Sequence, residues 1–281
     1  MRRFVSSIFL LAGAVFTAQG QWASYPLANL PRTPDGKPNL SAPAPRTSDG
    51  KPDLSGTWQA RATPYDQLKR LLGGATEALA VPGDDPHSFS KYFLDALWDE
   101  KAPEVARPQT LALLGRRLQS GLVDSPANRC VPLGVVQSEL TPLPYKIVQT
   151  PTLVAMLFEV ETTFRQIYLD ARKPAADPQP SWMGYSVGKW DGDTLVVESS
   201  GFNDQTWLDA IGHGHSEDLH LTERIHRRDV GHLDISITID DPKMYLKPWT
   251  IQVTNDLVTG TDVFEYVCNE NEKDVAHMTK R

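Results

Sequence analysis

Leu219–Asp240, LHLTERIHRRDVGHLDISITID, is the stretch whose reading decides the fold. Leu233, Ile235, Ile237 and Ile239 alternate with Asp234, Ser236 and Thr238. Strand side chains point alternately to opposite faces, so this run predicts a sheet with one buried face and one wet face. Leu219 to Arg227 repeats the pattern, with Leu219, Leu221, Glu223 and Ile225 on one face and His220, Thr222, Arg224 and His226 on the other. Val230-Gly231 separates the two runs closely enough for a hairpin. One residue breaks the rule. Glu223 puts a carboxylate on the apolar face, which is costly unless the group is paired or protonated. It is therefore either a working group or the partner of a buried cation, for which Arg165 on another strand is a candidate.

Working outward, the same alternation predicts strands at Ile147–Val160, Thr163–Asp170, Trp182–Trp190, Thr194–Ser199, Trp249–Asn255 and Val263–Cys268. Asp191-Gly192 is a strong two-residue hairpin signal. Successive strands joined by short turns favour an antiparallel up-and-down barrel, because closure removes exposed edges; a strongly curved open sheet is the competing architecture. Residues 63–122 read instead as a helical insertion. Thr63-Pro64 opens a helix with Leu68, Leu71 and Leu72 as its stripe and Gly73-Gly74 as its stop. Phe89, Phe93, Leu94, Leu97 and Trp98 then fall at helical spacing, and a third helix runs from Pro108 to Gly121 with Leu111, Leu114 and Leu118 on one face. Pro126–Pro144 reads as a proline-punctuated connection. The mainly β domain is expected to span 56–281.

The N-terminus carries Arg2 and Arg3, an apolar run from Phe4 to Phe16, and Ala18-Gln19-Gly20. That order predicts a signal peptide over 1–20, and hence an exported, periplasmic or extracellular protein. Its removal takes away two arginines and no acid, moving the formal charge from −7 to −9. An acidic chain without a basic patch argues against nucleic acid as a partner. With no second apolar run of spanning length, no membrane insertion is expected after cleavage. Export also invites a disulfide between the two cysteines, Cys130 and Cys268. Between leader and domain, 21–55 holds a duplication: Pro31–Ser41, PRTPDGKPNLS, returns as Pro45–Ser55, PRTSDGKPDLS. Each copy is rich in turn residues and poor in buriable ones, so an extended surface linker is expected.

Gly56-Thr57-Trp58 resembles the G-x-W of the first strand of lipocalins and related calycin barrels. A broader resemblance is to a group of uncharacterised exported bacterial proteins. It rests on Thr47–Trp58 (T-x-D-G-K-P-D-L-S-G-x-W), Trp182–Glu198, Gly201–Asp209 (G-F-N-D-x-T-W-L-D) and Tyr266–Glu272. The resemblance implies export and a common fold, and brings no reaction with it.

Three chemistries suit the residues. His213 and His215, at i and i+2, could hold a divalent, zinc-like ion with a carboxylate. The same histidines could work with Glu223 as an acid–base pair, giving a hydrolase or lyase type of enzyme. The third is binding of a small, partly apolar ligand, the favoured expectation. Trp207, Asp209 and Asn203 would stand at the mouth of a barrel pocket, with Tyr168, Trp182 and Arg165 in its wall. No phosphate-binding glycine loop, Cys-x-x-Cys or G-x-S-x-G elbow occurs.

Overall fold

A computed structural model describes residues 30–72, 89–173 and 179–268. The leader, Gly73-Gly74 and the last residues of the Tyr266–Glu272 motif lie outside them. The chain forms a closed barrel whose nine strands follow one another in sequence order. They are β1 (Gly56–Ala60), β2 (Tyr145–Gln149), β3 (Leu153–Phe158), β4 (Thr163–Tyr168), β5 (Tyr185–Asp191), β6 (Thr194–Ser200), β7 (His220–Arg227), β8 (His232–Asp240) and β9 (Trp249–Leu257). Alternation does what the sequence predicts of it: Leu221, Glu223, Ile225, Leu233, Ile235, Ile237 and Ile239 all point inward and are buried. The β7–β8 register is continuous, from His220 opposite Asp240 to Arg227 opposite Leu233.

Two strand expectations change. Ile147–Val160 is a hairpin rather than one strand, with Thr150 donating its N–H to the Leu153 carbonyl at the turn at 2.8 Å. Val263–Cys268 is not a strand. It runs outside the sheet, where Glu159 and Thr162 take its backbone N–H groups at Phe264 and Tyr266. All joints are antiparallel except β4–β5, which is parallel and is paired only at Ile167–Ser186 and Tyr168–Val187. A parallel joint needs a connection that returns the chain to the end of the barrel from which it came, and here it falls between Tyr168 and Tyr185.

Helices α1 (Tyr65–Leu72), α2 (Lys91–Leu94), α3 (Ala102–Val105) and α4 (Pro108–Gln119) fall between β1 and β2, within the expected insertion. No helix among the described residues is long and apolar enough to cross a membrane. The region from Phe89 to Trp98 is helical only over α2, and Leu118 on α4 is exposed. The insertion docks through apolar and polar contacts together, with Ala96, Leu97, Val105 and Ala106 joining the buried core. The Arg107 N–H donates to the Met244 carbonyl, Leu246 N–H to Val105, and Trp249 Nε1 to Ala96. A fifth helix, α5 (Val135–Leu140), lies in the connection read as irregular, and every one of its residues is buried. It enters β2 from the end of the barrel at which the insertion sits.

At the opposite end the duplicated segment folds as two like turns rather than an extended linker. In each, a Thr N–H meets a Lys carbonyl four residues on, Thr33 to Lys37 and Thr47 to Lys51, both at 2.9 Å. Leu40 and Ala42 accept the N–H groups of Gly231 and Val230 at the β7–β8 turn. Arg46 pairs with Asp193 at the β5–β6 turn. Arg227 closes this end from inside, donating to the carbonyls of Asp53, Ser55, Asp229 and Val230. Its guanidinium lies 4.9 Å from the Trp58 ring centroid. The two cysteines form a disulfide, joining Cys130 to Cys268.

Candidate functional site

Polar side chains gather at three places. The first is inside the barrel. Alternation along β4 turns Arg165 and Ile167 inward, and Arg165 is 2 % exposed. Its Nη1 donates to Glu223 Oε1 at 2.9 Å and to Glu139 Oε1 on α5 at 2.7 Å, while Nη2 also donates to Glu223 Oε2. Ser186 and Ser199 accept from Nε and Nη2 at 3.1 and 2.8 Å. Glu223 is thus half of a buried ion pair. Two carboxylates share one guanidinium, and burial, then the neighbouring Glu223 charge, holds the Glu139 carboxyl well above its ordinary range. Glu139 Oε2 and the buried Tyr145 hydroxyl have no hydrogen-bond partner among the described residues.

The second is the loop between β6 and β7. Asp209 is fully buried and accepts four hydrogen bonds. Its Oδ1 takes the N–H groups of Gly212 and His213, and its Oδ2 takes Ala96 N–H and His213 Nδ1, the last at 2.6 Å. Asp95 brings a carboxylate oxygen to 3.6 Å from the same imidazole nitrogen. Asp95, Asp209 and His213 therefore set three ligand-type atoms within 4.8 Å of one another. Desolvation works against the His213 charge, but the Asp209 hydrogen bond and the charges of Asp209 and Asp95 together outweigh it and raise the imidazole above its usual value. The Asp95 carboxyl is raised by burial. Asp209 has every lone pair engaged, which describes a clamp between this loop and the α2–α3 turn better than a cation site.

His215 does not join that group. Its Nε2 faces the Thr206 hydroxyl at 2.6 Å and its Nδ1 the Ser216 carbonyl at 3.0 Å, and burial lowers its pKa. Among the described residues no hydrogen bond or ion pair links Glu223 to either histidine. Trp207 is buried with the Arg117 guanidinium 4.4 Å from its ring centroid, and the cavity beside it measures about 10 Å³, room for one water at most. Asn203 Oδ1 is spent on the Gln205 N–H. Around Trp207, Asp209 and the two histidines the Gly201–Glu223 segment is therefore closely packed.

The third place is the parallel joint. Above its two paired positions, β4 and the Ser181–Tyr185 segment diverge around a groove of about 480 Å³. Phe164, Tyr168, Trp182 and Tyr185 line it, with Glu161 at its upper end. Phe164 is 62 % exposed, and the rings of Tyr168 and Tyr185 lie 5.4 Å apart. One wall depends on Gly184. Its φ of +62° is in the left-handed region, and a Cβ there would stand 2.5 Å from the Phe202 ring. A second concavity, about 590 Å³ on the outer face of β7–β9, is lined largely by polar groups such as Arg224, His226 and Asp234. Its arginines are engaged by Asp191 and Asp234.

Of the residues singled out from sequence, Tyr168, Trp182 and Arg165 meet at the groove, whereas Trp207, Asp209 and Asn203 do not reach it. Glu139, Asp95 and Glu161 were missed. Glu139 left little signal, since it stands beside Gln137 and Ser138 in Val135–Leu140; the other two sit in turns whose position depends on packing. A scan against protein-family models, a search of curated proteins and a search of solved structures gave no match.

Proposed function

We propose that this chain is an exported binding protein that holds a small, partly apolar molecule in the groove at the β4–β5 joint. The observation that carries the reading is four aromatic side chains around one concavity, with Phe164 left largely in water. A large ring exposed on a soluble surface costs solvation free energy that a ligand would recover. Export is supported by the Met1–Gly20 order and agrees with a cross-link that persists in oxidising compartments. Membership of the exported bacterial group rests on the sequence motifs. The enzymatic reading has weaker support, because Glu223 is committed to Arg165 and the two histidines to separate partners.

The test is titration with the neutral fluorophore N-phenyl-1-naphthylamine. Saturable one-to-one binding is expected, weakened at least tenfold by Trp182→Ala combined with Phe164→Ala, at about 1.4 kcal/mol per tenfold. No saturable binding, or binding indifferent to both substitutions, overturns the proposal.

A further inference from the structure

Resting on that groove as the ligand site, we infer that its ligand carries a cationic head, as an aryl or alkyl ammonium does. Glu161 lines the groove and is half-buried, yet no ion pair or side-chain hydrogen bond engages its carboxylate among the described residues. Its position is built rather than incidental. Glu161 has φ +52°, within a turn that Glu159 and Thr162 fasten to the segment running to the disulfide, by accepting the N–H groups of Phe264 and Tyr266. Burial raises the Glu161 carboxyl above its ordinary value, so a cation beside it would relieve a charge the site holds at a cost.

The aromatic walls point the same way. Ring faces carry negative electrostatic potential and attract cations. Tyr168 already does so, with the Arg172 guanidinium 3.7 Å from its ring centroid. That arginine is held by Asp170 and reaches the Tyr185 hydroxyl at 3.5 Å, which leaves Phe164 and Trp182 to a ligand. Arg165, the cation in the groove lining, has its charge answered by Glu223 inside the barrel, where Glu139 also accepts from its guanidinium. An anionic ligand would meet an uncompensated carboxylate, whereas a cationic one meets its complement. The net charge of −7 adds long-range attraction of the same sign.

The experiment compares benzyltrimethylammonium with its neutral isostere neopentylbenzene as competitors of bound N-phenyl-1-naphthylamine. The ammonium is expected to displace the reporter at about tenfold lower concentration, an advantage that shrinks as salt is raised. In Glu161→Gln the advantage should fall to about threefold or less, with the isostere unchanged. Glu161→Asn, better suited to left-handed backbone, repeats the test should the first variant fold poorly. Equal displacement by the two compounds, or an advantage that survives both substitutions, overturns the inference while reporter binding leaves the groove intact as a site. Failure of the reporter itself to bind overturns both.

Discussion

The Arg165 guanidinium and the Glu223 carboxylate meet side-on inside the barrel, Nη1 to Oε1 at 2.9 Å, with Glu139 sharing the same Nη1. The arrangement makes the two ends of the pair unequal. If Glu223 is neutralised, Glu139 can release its proton and take over the guanidinium. If Arg165 is removed, both acids lose their donor. Arg165→Met is therefore expected to cost about 3–5 kcal/mol and Glu223→Gln about 1–3 kcal/mol. Urea unfolding at pH 7 measures both, and an equal or larger loss for Glu223→Gln contradicts the sharing.

Glu139 also sets a pH dependence. Its folded pKa lies above the ordinary 4.5, so the unfolded chain loses this proton first as pH rises. The stabilisation is complete below that value and is lost as pH climbs towards the folded pKa, at up to about 1.4 kcal/mol per pH unit. His215 acts at the other side. Its lowered pKa means that stability is lost as pH falls below 6.5. Unfolding free energies measured from pH 5 to 8 should show a shallower alkaline decline in Glu139→Gln. An unchanged slope refutes the assignment.

Arg227 ties four backbone carbonyls to the face of Trp58. Replacing it by Leu leaves those acceptors without their donors, at an expected loss of about 2–4 kcal/mol. Lysine should restore less than half of this, since an ammonium cannot reproduce the fork. Full rescue by lysine in a denaturant series would show that charge alone matters.

Asp209 binds three N–H groups and an imidazole, so Asp209→Asn should lower stability by about 2–3 kcal/mol. With its lone pairs engaged, zinc added to metal-free protein is expected to leave the melting temperature unmoved. A rise of several degrees, abolished by His213→Ala, would identify the Asp95–Asp209–His213 group as a metal centre.

The disulfide spans a sequence separation of 138, and the chain-entropy treatment assigns such a closure about 5 kcal/mol. Replacing both cysteines by serine should lower unfolding free energy by up to that amount. A loss below about 1 kcal/mol would mean that the region stays compact when unfolded.

The barrel was legible where alternation and turn chemistry agree, as in β8 and at the Asp191-Gly192 hairpin. The β2–β3 hairpin was missed because its turn, Thr150-Pro151-Thr152, has no glycine or asparagine, although Pro151 was a usable signal. Val263–Cys268 reads as a strand from its composition, but its hydrogen bonds go to side chains and Tyr266 and Val267 stay exposed. Glu223 was visible as an acid on an apolar face, and its pairing with Arg165 was one of two readings. The groove was legible only in part: Tyr168, Trp182 and Arg165 were expected in a pocket wall, but together with Trp207, Asp209 and Asn203 at a barrel mouth. Its walls are distant in sequence, and only the order of strands brings Glu161 and Trp182 to one concavity.

That order follows from arithmetic. In a ring whose strands all run against their neighbours, direction alternates, and alternation closes on itself only for an even number. With nine strands the parity is wrong, so at least one joint has to be parallel. The chain meets the requirement between β4 and β5, where the crossover leaves the two strands paired at just two positions. The groove is thus the place where an odd-numbered ring fails to close completely. Any relative that gained or lost one strand would have no need of the gap.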